Sequence, residues 1–367
     1  ATIILFALIS LSCISAADNN ASDEIIKQDN GNDADEIVAQ TDINTEDILT
    51  DGETEVSDFS TLNTEIANST TGTIQLTKNY TYNPEKDSNY ITGIVIDKAD
   101  FTVDGQGHTI NGASLARIFK ITADNVTLKN INFINGNTTG EGGAVHFEKS
   151  GSVSDCYFTN NTATGDGGAI YFNNTGTVEN CNFADNHANY GGAVYFISNC
   201  EVTSCNFADN TANRSGGAIW MSSGNVTDCN FTDNTATRDG GAIYFKENGT
   251  VKNCNFTDNT AENHGGAIYF NQTGNVTDSY FTNNTATHDG GAVYFYSNGE
   301  MTNCNFTNDS ASFGGAVYFY SNGEMTNCNF INNSAIEGVG GAVHFDYGST
   351  GTVTNCNFAD NTANRSG

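Results

Sequence analysis

The chain has 367 residues but only one proline, Pro84, and 13 basic side chains against 43 acidic ones, a formal net charge of −30. A single proline excludes collagen-like, mucin-like and proline-rich linker architectures. The charge has the wrong sign for a nucleic-acid binder, which needs a cationic surface to release counterions. Hydrophobic residues make up only 37% of the chain, so any core must be thin and regular. Glycine, in contrast, is plentiful at 39 residues, and its placement turns out to be periodic.

The opening ATIILFALISLSCISAAD is an apolar run ending in the small residues Ser15, Ala16 and Ala17. It reads as a secretory signal peptide over 1–17, cut after Ala17, that lacks the usual basic start and initiator Met and so looks truncated. It falls short of the ~20 apolar residues that span a bilayer. Residues 18–57 form an acidic linker: from Asp18 to Asp58 there are 14 acids and one base, Lys27. High charge with little to bury predicts disorder. Over 58–70, Phe59, Leu62 and Ile66 recur at helical spacing behind Asp58, an N-cap candidate. This predicts a short helix that caps an open sheet end.

Self-similarity dominates the rest. Gly-Gly-Ala begins at Gly142, Gly167, Gly191, Gly216, Gly240, Gly265, Gly290, Gly314 and Gly340, at spacings of 24 to 26 residues. A β-branched residue, an aromatic and usually Phe follow each, and a block such as Cys181-Asn182-Phe183 comes shortly after. The period is too short for helical repeats or propeller blades, and the leucine ladders of a leucine-rich repeat are missing. One coil of a parallel β-helix fits, with three short strands and three turns stacking at ~4.8 Å. The all-β prediction is a right-handed parallel β-helix of about 11–12 coils, its handedness resting on the resemblance given below. Irregular coils fill 71–141 and regular ones 142–367, the last cut in mid-repeat.

Alternation assigns faces. Within GGAIYF the Ile and Phe columns point inward, since the Tyr column admits His146, Trp220 and His344. A small polar column from Asn130 and Asp155 to Asn355 precedes the Cys column and marks a tight bend. Gly105 and Gly107, in the turn after Asp104, do not make a nucleotide loop, since no helix follows.

Gly-Gly-Ala-[Ile/Val] followed by Phe-x-x-Asn, as in Phe158–Asn161, Phe183–Asn186 and Phe358–Asn361, resembles the repeat pair of polymorphic outer-membrane protein type β-helices. Phe306 departs from it, with Asp309 in the last position. Together with the FTVDGQGHTINGA stretch from Phe101 and the acidic linker, the chain looks like the adhesin-like surface proteins of methanogenic archaea. The resemblance covers 71–367 and implies an exported, non-catalytic protein that contacts other cells, glycans or host surfaces. It says little about the ligand. No cofactor, metal or nucleic acid is expected, and membrane or cell-wall attachment would need an anchor outside this sequence.

Several columns carry candidate chemistry. Cys156, Cys181, Cys205, Cys229, Cys254, Cys304, Cys328 and Cys356 form one column, interrupted by Ser279. Their spacing gives no zinc-type pairs, and buried thiols are expected. Neighbouring-coil disulfides are the alternative in an oxidising setting. Cys200 falls outside the column, on an expected turn, as the one reactive-thiol candidate. His146, Tyr171, Tyr195, Trp220, Tyr244, Tyr269, Tyr294, Tyr318 and His344 form an outward aromatic stripe. It is the best candidate ligand face, against a reading in which it only stabilises the sheet.

Asp185, Asp209, Asp233 and Asp258 recur two residues after the Phe, as a calcium column or simply a polar edge. Sequons make Asn160, Asn173, Asn213, Asn225, Asn230, Asn248, Asn255, Asn271, Asn275, Asn283, Asn305, Asn308 and Asn332 candidate glycan acceptors. Catalysis is the weaker alternative. Lyases and hydrolases on this fold graft sites onto long loops, whereas these coils vary little in length, and His187, His264 and His288 have no implied Ser or Cys partner. A structural stalk or envelope shield is the main non-catalytic rival.

Overall fold

A computed structural model describes residues 56–365 and winds them into about 12 turns of a parallel β-helix. The signal-peptide segment 1–17, and the acidic linker up to residue 55, lie outside the described residues. One representative coil runs through strands Ile170–Phe172, Gly176–Glu179, Asn182–Ala184 and His187–Ala188. The first two join a 21-stranded broad sheet, the third a 13-stranded sheet and the fourth a 10-stranded sheet. The coil therefore has three faces, as expected, but the broad face is split in two by a turn. In two coils the turn is absorbed and Val194–Thr203 and Ile219–Thr227 run through as single strands. All pairings are parallel and, apart from a shift between Phe196 and Asn199, in register, so that Phe183 faces Phe207 and Phe207 faces Phe231.

The corners explain the polar columns. Asn180, Ser204, Asp228 and Asn253 have φ between +51° and +56°, and Asp185, Asp209, Asp233 and Asp258 have φ of +55° to +57°. Asn and Asp tolerate this left-handed backbone better than other side-chain-bearing residues, because a short polar group bonds locally. The Asp column proposed for calcium thus occupies a bend whose conformation by itself selects Asn or Asp. Among the described residues no group of three or more His, Cys, Asp or Glu side chains is arranged to hold a metal ion. The glycine pairs have two separate causes. Gly216 has φ +69°, and a Cβ on Gly217, the next residue, would stand 1.9 Å from the Gly241 carbonyl of the adjoining coil.

Inward residues stack on their own copies. The Ile, Val and Phe positions are fully buried through most of the array, and the Phe183 and Phe207 rings sit 4.7 Å apart with 2° between their planes. Each buried Phe contributes roughly 1.5–3 kcal/mol. Beside them runs a ladder built from the Asn of Phe-x-x-Asn. Asn234 is fully buried. Its Oδ1 accepts from Asn210 N at 3.1 Å and Asn210 Nδ2 at 3.0 Å. Its own Nδ2 donates to Phe207 O and Asn259 Oδ1, both at 3.0 Å. Every polar atom of the side chain is satisfied, the condition under which a buried amide stabilises rather than weakens a core.

The expected helix is present as Phe59–Asn68, with Asp58 Oδ1 accepting from Thr61 N at 2.9 Å. Fully buried Asp87 adds a second cap, accepting from Phe59 N at 3.0 Å and Ser60 N at 2.9 Å. At the other end Lys98 Nζ donates to the carbonyls of Ile66, Ala67 and Ser69. Phe59, Leu62 and Ile66 enter the core, which is how an amphipathic helix closes the first coil. Among the described residues no helix is long and apolar enough to cross a membrane.

Replacing Asn234 by Ala leaves the buried Asn210 N–H and Asn210 Nδ2 without their shared acceptor. The expected loss is about 3 kcal/mol. Asn206→Ala, in the half-exposed outer ladder (Asn206 Nδ2 to Asn182 Oδ1, 2.9 Å), should cost less than about 1 kcal/mol. Denaturant melts of both variants check the ranking, and equal losses would contradict the assignment.

Candidate functional site

The outer surface of the broad sheet carries the expected aromatic stripe because Tyr alternates with inward Ile and Phe. Tyr171 and Tyr195 lie 5.2 Å apart at 6°, Tyr195 and Trp220 4.3 Å apart at 7°, and Trp220 and Tyr244 5.9 Å apart at 14°. Tyr269, Tyr294 and Tyr318 continue the stack at 5.0–5.2 Å. His146 meets Tyr171 edge-on at 64°, and His344 tilts against Tyr318 at 39°.

The stripe is not uniformly open. Residues that immediately precede the glycine pairs form its wall: Asp166, Tyr190, Asp239, His264, Asp289 and Phe313 are among them. The His264 ring lies 4.8 Å from that of Tyr294, and Phe313 packs against the same cluster. Tyr269, Tyr294 and Tyr318 consequently retain only 5–9% exposure. Tyr171, Tyr195, Trp220 and Tyr244 stay half-exposed. The accessible part of the expected face is therefore His146–Tyr244, with His344 half-exposed beyond the covered tyrosines. Burial, reinforced by Glu141 and Asp166, pushes the Tyr171 hydroxyl up to about 12, and burial with Asp239 does the same for Tyr244. Burial, aided by the nearby Arg117 cation, pulls His146 down to about 4, so its ring is neutral at pH 7.

Beside the aromatics, across the turn that splits the broad face, the second strands turn mainly small polar groups outward in the earlier coils, with Glu300 and Glu324 taking that position later. Thr127, Ser152, Thr177 and Glu201 line one shallow depression. Asn225, Thr250 and Asn275 line the next, and Asn199 is shared by both. The broad sheet thus offers a strip of π-faces alongside a trough of hydroxyls and amides with the Glu201 carboxylate among them.

Two features escaped the sequence reading. Tyr296 and Tyr320 stack at 4.9 Å and 7° while 46% and 49% exposed, on the turn between the two broad-sheet strands. The repeated FYSNGEMTNCNF at 295–306 and 319–330 was their signal. Arg117 is only 6% exposed and donates to the carbonyls of Thr92, Glu141 and Gly142. By register it stands opposite Gly143, where later coils have the second glycine. A lone cation among apolar neighbours gave no periodic signal.

The histidines are partly regrouped. His264 Nδ1 is 3.1 Å from Asp289 Oδ2, an ion-pair distance without hydrogen-bond alignment. His187 Nε2 meets Asn213 Nδ2 and His288 Nδ1 meets Glu262 O. These partners are a carboxylate, an amide and a carbonyl, so no nucleophile–base pair is formed by them.

Cys200 is a correction: it lies inside strand Val194–Thr203, 2% exposed, rather than on a turn. The through-running strand removes the turn there, and burial pushes its thiol up to about 12. The ladder thiols are unpaired, and burial raises those of Cys181, Cys205, Cys229 and Cys254 well above the ordinary range. Among the candidate glycan acceptors, Asn160, Asn173, Asn213, Asn225, Asn248, Asn255, Asn283, Asn308 and Asn332 are exposed. Asn160, Asn230, Asn255, Asn271 and Asn332 commit their Nδ2 groups to a neighbouring coil. Asn275 and Asn305 are half-buried.

A family profile described as a right handed beta helix region matches residues 92–261 and 240–367. No curated protein matches the sequence significantly.

Native-state labelling with a thiol reagent at pH 8 should modify Cys356, the one half-exposed ladder thiol among the described residues. Cys181, Cys200, Cys205, Cys229 and Cys254 should react only after denaturant is added, since the thiolate is the nucleophile. Peptide mapping reads the order, and fast native labelling of Cys200 would contradict its burial.

Proposed function

The chain belongs to the right-handed β-helix family, and from that premise we propose that it is an exported, surface-displayed contact protein. On this reading the broad sheet engages saccharide or glycoprotein surfaces of other cells without catalysis. The juxtaposition of the half-exposed Tyr171–Tyr244 stack with the hydroxyl and amide trough carries the reading. Aromatic faces suit the apolar side of a pyranose ring, and Thr, Ser and Asn groups suit its hydroxyls. An acidic surface without a basic patch disfavours nucleic acid as partner. The likeness of the Gly-Gly-Ala and Phe-x-x-Asn repeats to those of archaeal adhesin-like and polymorphic outer-membrane proteins supports the same placement.

Right-handed β-helices serve in both enzymes and non-enzymes, so the fold leaves catalysis open. Against it stand coils of nearly constant length, which build shallow depressions instead of a cleft. The histidine partners likewise supply no acid–base pair around a reacting centre. The structural-stalk reading draws on a specific observation of its own: Tyr269, Tyr294 and Tyr318 are almost buried and serve the sheet as a cross-strand ladder.

A glycan-array and whole-cell binding screen of the full chain tests the contact reading. Trp220→Ala combined with Tyr244→Ala should reduce binding at least about tenfold while circular dichroism stays unchanged. Unaltered binding by the folded double variant would leave the stalk reading in possession.

A further inference from the structure

The buried Asn ladder has one foreign member. Asn161, Asn186, Asn210, Asn234, Asn259 and Asn284 lead to Asp309, and Asn333 follows. Asp309 Oδ1 does what an Asn Oδ1 does: it accepts from Asn284 N at 2.8 Å and from Asn284 Nδ2 at 2.9 Å. Its backbone N–H donates to Asn333 Oδ1 at 2.9 Å. The second oxygen, Oδ2, replaces the amide nitrogen and is buried without a partner. Elsewhere that position donates twice, as Asn284 Nδ2 does to Phe256 O and to the next ladder oxygen. By the same register, Asp309 Oδ2 is presented with two acceptors, the Phe281 carbonyl and Asn333 Oδ1. A carboxylate there would put unscreened negative charge against acceptor lone pairs, in a fully buried site.

We propose that Asp309 is carried as a neutral carboxylic acid, its Oδ2–H donating to the ladder acceptors, so that the coil stack contains a proton-binding site that alkali opens. The groups facing it are uncharged: Asn284 from the coil before, Asn333 from the coil after, and the Phe281 carbonyl. With no cation to hold the ionised form, burial alone sets the direction, and the carboxyl is pushed up to about 8 from an ordinary 3.8. The sign follows. Between those two values the unfolded chain releases this proton and the folded chain keeps it. The contribution of Asp309 to stability is therefore complete below about pH 4, falls as pH rises, and is lost once pH passes about 8. The affected rung joins the coils of Asn284, Asp309 and Asn333, and these are where opening begins.

The partner experiment is Asp309→Asn in the full chain, which restores the ladder's own chemistry at nearly constant volume. Chemical denaturation of both proteins across pH 4–8 should show the wild-type folding constant dropping by about tenfold per pH unit relative to the variant. A ratio that stays flat over this range would overturn the proposal. Infrared difference spectra of the folded proteins at pH 7 add a readout independent of unfolding. The wild type should show the carbonyl stretch of one protonated carboxylic acid that the variant lacks, and its absence from the wild type would also overturn the assignment. Asp309→Ala serves as the control, weaker than Asp309→Asn at every pH but with no slope of its own.

Discussion

Everything in this fold depends on exact vertical repetition: a residue in one coil meets its counterpart in the next, at the spacing of hydrogen-bonded strands. Under that constraint the columns favour side chains that can pair with themselves. Phe does so by stacking flat, Thr and Val by nesting, and Asn by offering a donor above or below an acceptor. The buried amide ladder is the strictest case. Asn210, Asn234 and Asn259 each satisfy their neighbour's backbone as well as its side chain, which fixes both the register and the bend that follows the Phe column. Charged groups pair poorly, because copies of one sign repel. The corner acids illustrate this: Asp209 and Asp233 are raised by partial burial and then by the neighbouring acids of their own column.

That constraint decides which parts of the molecule could be read from the sequence. Faces, inward columns and the capping helix were legible because each repeats or carries a local signature, such as Asp58 ahead of Phe59, Leu62 and Ile66. The bend before the Cys column was legible from its run of small polar residues, whereas the one at Asp185, Asp209, Asp233 and Asp258 read only as a calcium column or polar edge. What could not be read was how much of an outward column the neighbouring turn would cover. Tyr171 and Tyr318 have the same pattern, yet His264 and Phe313 bury the later part of the stripe, through turn residues that vary from coil to coil. Cys200 was misplaced for a related reason, as one coil absorbed its turn into a strand. Arg117 belongs to no column and so had no pattern to betray it.

The irregular first coils do different work. Asp87 and Lys98 hold the two ends of the helix, and Arg117 ties three carbonyls together at the position where glycine pairs later take over. Here single side chains replace the ladders, since a first coil has no earlier copy to stack upon. The switch from bespoke contacts to self-pairing ones lies between Arg117 and Gly143.

The stacked Tyr296 and Tyr320 come from two stretches, 295–306 and 319–330, that are identical letter for letter. Each coil buries the same columns against its neighbour, so copying one whole period creates a new coil whose interfaces already match on both sides. Internal duplication is then nearly neutral for folding, while it lengthens the shaft and multiplies whatever its outer side chains display. A gene built this way can change the reach and valency of its product by unequal recombination, without first having to repair a core.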